Sequence, residues 1–281
     1  MLPYYTEHYG KPSSVYGFAA ANKEVIAKQR DIIAGVLGAK ANEIYFTAGG
    51  TESDNWALIA AAEAYAAKGK HIITSKIEHH AVLHTCEYLQ KHGYEVTYLD
   101  VDENGLVDPN DVEAAVRPDT ILISVMFANN EIGTIQPISE IGKIAREHGI
   151  LFHTDAVQGY GKYRIYPKRM GIDLLTASGH KIHGPTGTGF LYIDNRGKIR
   201  PIVFGGEQQK NVRSGTENVP GIAGLGLASK MIYQDLEMKT ALMRELKSHF
   251  IEGIAKIENT TIHGFTDEGS APHIISVGVA G

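Results

Sequence analysis

The stretch Thr120–Ile121–Leu122–Ile123–Ser124–Val125–Met126–Phe127 decides how this chain folds. Its centre, Ile121–Val125, is apolar almost throughout and shows no alternation with polar residues. A strand with one wet face alternates, whereas a run of this kind belongs to a strand covered on both faces. Working outward, similar short β-branched runs occur at Glu43–Thr47, His71–Thr74, Glu95–Leu99, Ile150–Thr154, Leu174–Ala177 and Gly189–Ile193. Between most of them lie stretches of helical period, at Phe18–Leu37, Thr51–Ala67, His80–His92 and Ile138–His148. Helices that return between strands predict an α/β fold: a largely parallel sheet of about seven strands, sandwiched by helices.

The pattern changes after Gly224. From Leu225 to Ile257 it is long, charged and helical, followed by strand-like runs at Thr260–His263 and His273–Val279. The expected organisation is a large domain over residues 1–224, then a linking helix and a partial small domain over residues 225–281. That second unit, roughly fifty residues, is too short to bury a core of its own. Its last apolar run, Ile274–Val279, stops at Ala280–Gly281 with nothing after it to pair or cover it. The sequence is therefore expected to be a truncated chain, or the ordered part of a longer one.

Composition narrows the function classes. With 281 residues, 43% hydrophobic and 21% charged, the chain has ordinary globular usage, which excludes disordered and fibrous classes. Lys+Arg 27 against Asp+Glu 32 gives a net charge of −5 without a basic block, which argues against a nucleic-acid partner. No apolar run approaches the length of a membrane span, and the N-terminus lacks a secretory pattern. The single cysteine, Cys86, forms no intrachain disulfide and fits a reducing, cytoplasmic setting.

Four segments carry chemistry. In Thr47–Ala48–Gly49–Gly50–Thr51–Glu52–Ser53 a strand ends, two glycines turn the chain and Thr51 opens a helix. Free N–H groups at a helix start attract anions, so Gly50 and Thr51 suit a phosphate; the plainer reading is an N-capped turn. In Leu151–Gln158, Asp155 stands at the carboxyl end of a strand, where it can partner a protonated ring nitrogen, and Gln158 can donate to a neighbouring ring oxygen. An Asp that merely caps the next helix is the plainer reading there. In Ala177–Ser178–Gly179–His180–Lys181–Ile182–His183 a lysine follows a strand end, beside Ser178 and His180. Most lysines are solvated cations, but one so placed can form a Schiff base with an aldehyde. In Glu78–His79–His80–Ala81 an imidazole can lie flat over an aromatic cofactor. His80 and His84 share a helix face, but without H-E-x-x-H or a third ligand no metal site is expected. Cys86 shares a helical face with Val82 and Leu89 and reads as a core residue. A phosphate cradle, a stacking imidazole, a ring-nitrogen carboxylate and an amine, in this order, describe a pyridoxal phosphate site. No strand is followed by the glycine spacing of a dinucleotide-binding turn, so a dehydrogenase is the weakest reading.

These segments make the sequence resemble the NifS/IscS-type cysteine desulfurases, in the class V branch of fold-type I pyridoxal phosphate enzymes. The resemblance runs from Leu2 to Gly281. It rests on Gly10–Lys11–Pro12–Ser13–Ser14, Thr47–Asn55, Glu78–Leu83, Asn129–Gly133, His153–Gln158, Ser178–Gly187 and Arg213–Asn218. It implies that Lys181 carries the cofactor and moves the substrate Cα proton, with His79 stacked on the ring and assisting. Asp155 would bind the ring nitrogen and Gln158 the ring hydroxyl. Gly50, Thr51, Ser178 and His180 would hold the phosphate, joined by Thr216 from the other subunit of a homodimer. Asn130 would contact the substrate carboxylate or the ring oxygen.

The implied activity converts L-cysteine to L-alanine and passes sulfur to an acceptor, for iron–sulfur cluster or thio-cofactor biosynthesis. Sulfur-acceptor or scaffold proteins would be partners. Members usually begin with a segment containing Asp-Asn-Ala-Ala-Thr and continue past the position of Gly281. The later region holds a persulfide-forming cysteine and an arginine for the substrate carboxylate. The 281-residue chain is therefore expected to bind the cofactor without completing sulfur transfer. Alternatives are a selenocysteine lyase, a cysteine lyase, another class V aminotransferase-like enzyme, or an inert cofactor-binding remnant.

Overall fold

Neighbouring residues along the central strands send their side chains into two separate cores. Ile73, Ile123, Phe152, Leu175, Phe190 and Tyr192 enter one; Ile72, Leu122, Leu151, Leu174 and Leu191 enter the other. Side chains alternate along a strand, so continuous apolar runs create exactly two apolar faces only if helices cover both. The computed structural model describes residues 1–12, 14, 17–197, 199–206 and 208–280. Ser13 of the Gly10–Ser14 motif and the terminal Gly281 lie outside the described residues.

The strands are β1 (Ile44–Thr47), β2 (His71–Ser75), β3 (Glu95–Leu99), β4 (Thr120–Ser124), β5 (Leu151–Asp155), β6 (Leu174–Ser178) and β7 (Gly189–Ile193). They lie side by side in the order β1-β7-β6-β5-β4-β2-β3. Only β7 runs against its neighbours, β6 and β1; the remaining pairs are parallel. The expected α/β architecture with a mostly parallel seven-stranded sheet is the one observed.

Helices α1 (Pro3–Thr6), α2 (Gly17–Leu37), α3 (Gly50–Tyr65), α4 (His80–Lys91), α5 (Pro109–Ala114), α6 (Ile138–Glu147), α7 (Pro167–Met170), α8 (Val219–Gln234) and α9 (Leu236–Ile254) complete the chain. Ile33 and Leu37 of α2, Ile141 and Ala145 of α6, and Ile222 and Leu225 of α8 cover one face. Trp56, Ala57, Ala60 and Ala61 of α3, with Val82, Cys86 and Leu89 of α4, cover the other. The alanines let α3 lie close against the sheet. Strands β8 (Thr260–His263) and β9 (Ser276–Val279) form a separate antiparallel pair. Among the described residues no helix is long and apolar enough to cross a membrane.

Two sequence boundaries shift for physical reasons. The strand expected over Thr120–Phe127 ends at Ser124. Val125 and Phe127 nevertheless donate to the His153 and Asp155 carbonyls of β5, at 3.2 and 2.8 Å, so the chain stays beside β5. Met126 turns its N–H to Glu78 Oε1 instead, at 3.0 Å. The helical stretch expected from Leu225 to Ile257 is two helices, broken at Asp235 (φ −124°, ψ 34°). The first begins at Val219, where the Asn218 side chain accepts the Gly221 N–H at 3.0 Å.

Candidate active site

The carboxyl ends of β5 and β6 and the turns after β1 and β2 enclose a cavity of about 320 Å³. Crevices at strand carboxyl ends are where open α/β sheets bind ligands, because the loops and helix starts there converge. Gly50, Thr51, His79, Asn130, Asp155, Gln158, Ser178, His180 and Lys181 all line it. Thr216, the remaining expected site residue, is exposed and does not line it. The cavity also takes in Asp54, Met126, Ala128 and Val157, which the sequence reading missed.

One end of the cavity is built by the turn into α3. Gly49 sits at φ +148°, a conformation that side chains disfavour. Gly189 closes against it: a Cβ there would come within 2.8 Å of the Gly49 Cα. Gly50 and Thr51, in the first turn of this 16-residue helix whose leading N–H groups lack intrahelical partners, line the cavity. Ser178 Oγ and His180 Nδ1 pair at 2.8 Å across the same corner. Burial and the neighbouring Lys181 hold the His180 pKa down. Glu52 is engaged by other partners. It accepts the Ala48 N–H at 2.7 Å and a bidentate Arg213 contact at 2.8 and 3.1 Å.

At the other end the buried Asp155 uses Oδ1 to accept the Val157 N–H at 2.9 Å. Among the described residues no hydrogen bond reaches its second oxygen, although the residue lines the cavity. Burial raises the Asp155 pKa; the Val157 N–H, His79 and Lys181 oppose that rise. Behind it, Asp54 is buried with an unpartnered Oδ1, and burial together with Asp155 pushes its pKa well up. Burial and mutual repulsion both disfavour ionising this pair of carboxyls, and the upward shift is the larger at Asp54. His153 Nε2 lies 3.6 Å from Asp54, but burial drives that imidazole down to about 3, so the contact is not an ion pair. The ring instead bonds Ser124 Oγ at 2.8 Å and Thr176 Oγ1 at 3.1 Å.

His79 is fixed as the N-cap of α4: its Nδ1 accepts the Ala81 N–H at 3.1 Å. That bond makes Nε2 the position that carries the ring proton when the imidazole is neutral. Glu78, just before it, is buried and accepts from Ser75 Oγ at 2.6 Å and Met126 N at 3.0 Å. Lys181 projects from a short 3-10 turn, Gly179–Ile182, whose carbonyl at Lys181 accepts Lys162 Nζ at 3.1 Å. Asn130 Nδ2 bonds Glu131 Oε1 at 2.7 Å, and Gln158 Oε1 meets His273 Nε2 at 3.0 Å.

Asp54 had a readable signal. It stands one helical turn beyond Gly50, so any ligand at the start of α3 is within its reach. Met126 and Ala128 carried none, being indistinguishable from core residues. Cys86 is fully buried beside Val82 and Leu89, and burial pushes its thiol up to about 12. His80 and His84 stack at 5.1 Å; among the described residues no three metal-ligating side chains gather. An anion cradle, a buried carboxylate with a free oxygen and an amine in one cavity fit a phosphorylated pyridine aldehyde.

The class-V aminotransferase family model matches residues 1–281. A relative named cysteine desulfurase IscS, from Methanosarcina thermophila, is 53% identical over 98% of this chain and 68% of its own length. The chain spans about two thirds of the length of that relative and of others of the same name. A solved structure titled NifS-like protein has a TM-score of 0.95 at 39% identity, covering 98% of this chain and 76% of the other. Another, titled SspA in complex with cysteine, has a TM-score of 0.85 at 38% identity, covering 96% and 76%. This chain belongs to the class-V aminotransferase family, in its IscS/NifS-type branch.

Proposed function

We propose that the chain is the pyridoxal-phosphate-binding core of a cysteine desulfurase, acting on L-cysteine. The observation that carries the reading is one cavity lined by Lys181, Asp155, His79 and the start of α3 together. Relatives named cysteine desulfurase and a neighbour titled as a complex with cysteine support the substrate class. Pyridoxal phosphate, when bound, supplies an electron sink for charge developing at the substrate α-carbon.

The chain's own residues divide the remaining work. The α3 N-terminus, Thr51, Ser178 and His180 bind the phosphate. The free oxygen of Asp155 holds the proton of the ring nitrogen, and Gln158 donates to the ring oxygen. Lys181 would hold the aldehyde carbon of the cofactor through its amine, and its Nζ would be the base for the substrate Cα proton. His79, fixed through Nδ1, would pack against the ring and carry a proton at Nε2. Asn130 contacts the substrate carboxylate or the ring oxygen. Thr216, exposed and away from its own cavity, contributes to the phosphate site of a second copy in a homodimer. Cys86, the sole thiol of this sequence, is buried and held protonated, so it does not accept the sulfur. An acceptor outside these 281 residues does so, and scaffold proteins of iron–sulfur cluster or thio-cofactor biosynthesis are the partners proposed to receive it.

The chain loaded with pyridoxal phosphate is expected to show the absorbance band of the lysine-bound cofactor, and Lys181→Ala to lose it. L-cysteine should perturb the band without sustained alanine release by the isolated chain. A Lys181→Ala variant that keeps the band sinks the assignment of the amine. Steady turnover of cysteine to alanine sinks the assignment of an external acceptor.

A further inference from the structure

Gln158 is held from outside the cavity by a residue far away in sequence. Its Oε1 lies 3.0 Å from Nε2 of His273. His273 follows a well-anchored strap. Ala271 N donates to the Gly133 carbonyl at 2.7 Å, and Lys247 Nζ donates to Ser270 Oγ and the Ala271 carbonyl at 2.8 and 2.9 Å. Ala271 itself is fully buried, so the strap is anchored by packing as well as by these bonds. The strand expected over His273–Val279 begins only at Ser276, which leaves His273 outside the β8–β9 ladder, with its side chain on Gln158.

The chemistry of the contact is directional. His273 is itself solvent-exposed; partial desolvation, then the charges of Lys162, Lys247 and Lys181, lowers its imidazole pKa and favours the neutral ring. A neutral imidazole has one N–H, and an amide oxygen can only accept. The bond to Oε1 therefore places the proton on Nε2. With Oε1 engaged, the polar group left to face the cavity is the Gln158 NH₂, a donor. The opposite amide orientation would set a carbonyl oxygen against any anionic oxygen bound there.

We propose that His273 is a positioning residue: its Nε2–H fixes the Gln158 amide so that the NH₂ end meets the ring oxygen of pyridoxal phosphate. The proposal rests on the cofactor reading above and extends it to a residue with no contact of its own to the ring. A donor at the ring oxygen stabilises the more anionic form of the bound chromophore. Losing it raises the pH at which that chromophore titrates.

The test is the absorbance titration of the cofactor-loaded chain, with cofactor Kd and thermal unfolding measured alongside. Gln158→Ala and His273→Phe should each raise the midpoint by on the order of one pH unit, the worth of a charge-assisted hydrogen bond. The double variant should move it no further than Gln158→Ala, because His273 acts only through Gln158. His273→Gln, which keeps a donor, should restore part of the shift. A purely structural His273 would lower the unfolding temperature and leave the midpoint alone. A shift in Gln158→Ala with none in His273→Phe overturns the proposal while the cofactor reading stands. Absence of a band in the wild-type chain, or an unmoved midpoint in Gln158→Ala, refutes the cofactor reading at this position and the proposal with it.

Discussion

At the scale of single residues, burial shifts the protonation of three carboxyls in or beside the cavity, Asp54, Glu78 and Asp155. Glu78 is the clearest case for a measurement. Burial raises its pKa from 4.5 to about 8, against the opposing bonds from Ser75 and Met126. Between those two values the folded chain holds a proton that the unfolded chain has released. Stability therefore falls as pH rises through that window. The buried His153, with its pKa lowered to about 3, contributes the opposite slope, so the whole protein's pH profile does not isolate either group. Comparison with Glu78→Gln does. On going from pH 5 to pH 8, wild type should lose about 3 kcal/mol more unfolding free energy than Glu78→Gln. Parallel profiles in denaturant titrations would show that Glu78 stays ionised.

At the scale of elements, the junction between the β1–α3 turn and the Arg213–Asn218 segment is held by one ion pair. Arg213 grips Glu52 with both ends of its guanidinium, and Glu52 also accepts the Ala48 N–H. Arg213→Gln should loosen the turn that presents Gly50 and Thr51. The expected result in an equilibrium titration is roughly a tenfold weaker cofactor Kd with an unchanged absorbance maximum, since no group on the ring is touched. A shifted maximum would mean that the pair reaches the ring itself. This junction also shows what the sequence did and did not disclose. Period and apolar content revealed the strands and long helices, and the Gly49–Gly50 pair marked the turn. The pairing of Arg213 with Glu52 joins residues far apart along the chain, and no local pattern encodes that. Helices α1, α5 and α7 were missed because each is one turn or so long, too short for an apolar period. Each nevertheless opens on a proline, at Pro3, Pro109 and Pro167, which is a readable start signal. The reversal of β7 was equally hidden, since parallel and antiparallel buried strands have the same composition.

At the scale of the whole molecule, all the expected site residues but Thr216 meet in one cavity, and Thr216 stands exposed elsewhere. A homodimer gives that threonine a role, because a two-fold axis serves both sites at once. Thr216→Ala should weaken cofactor binding several-fold and leave the dimer intact in sedimentation, on the scale of one lost phosphate hydrogen bond. A wild-type chain that sediments as a monomer at micromolar concentration would contradict this. His273 and Gln158 operate at the same scale, since their contact ties the strap before β9 to the rim of the cavity.

The central claim is that one particular amine condenses with the cofactor. Lys162 is the informative competitor: it is buried close by, and burial followed by Lys181 lowers its pKa. Borohydride reduction of the pyridoxal-phosphate-loaded chain, followed by peptide mass spectrometry, separates the two. The account predicts a single cofactor-sized increment on the peptide containing Lys181. An increment on Lys162, or none on either, would contradict it.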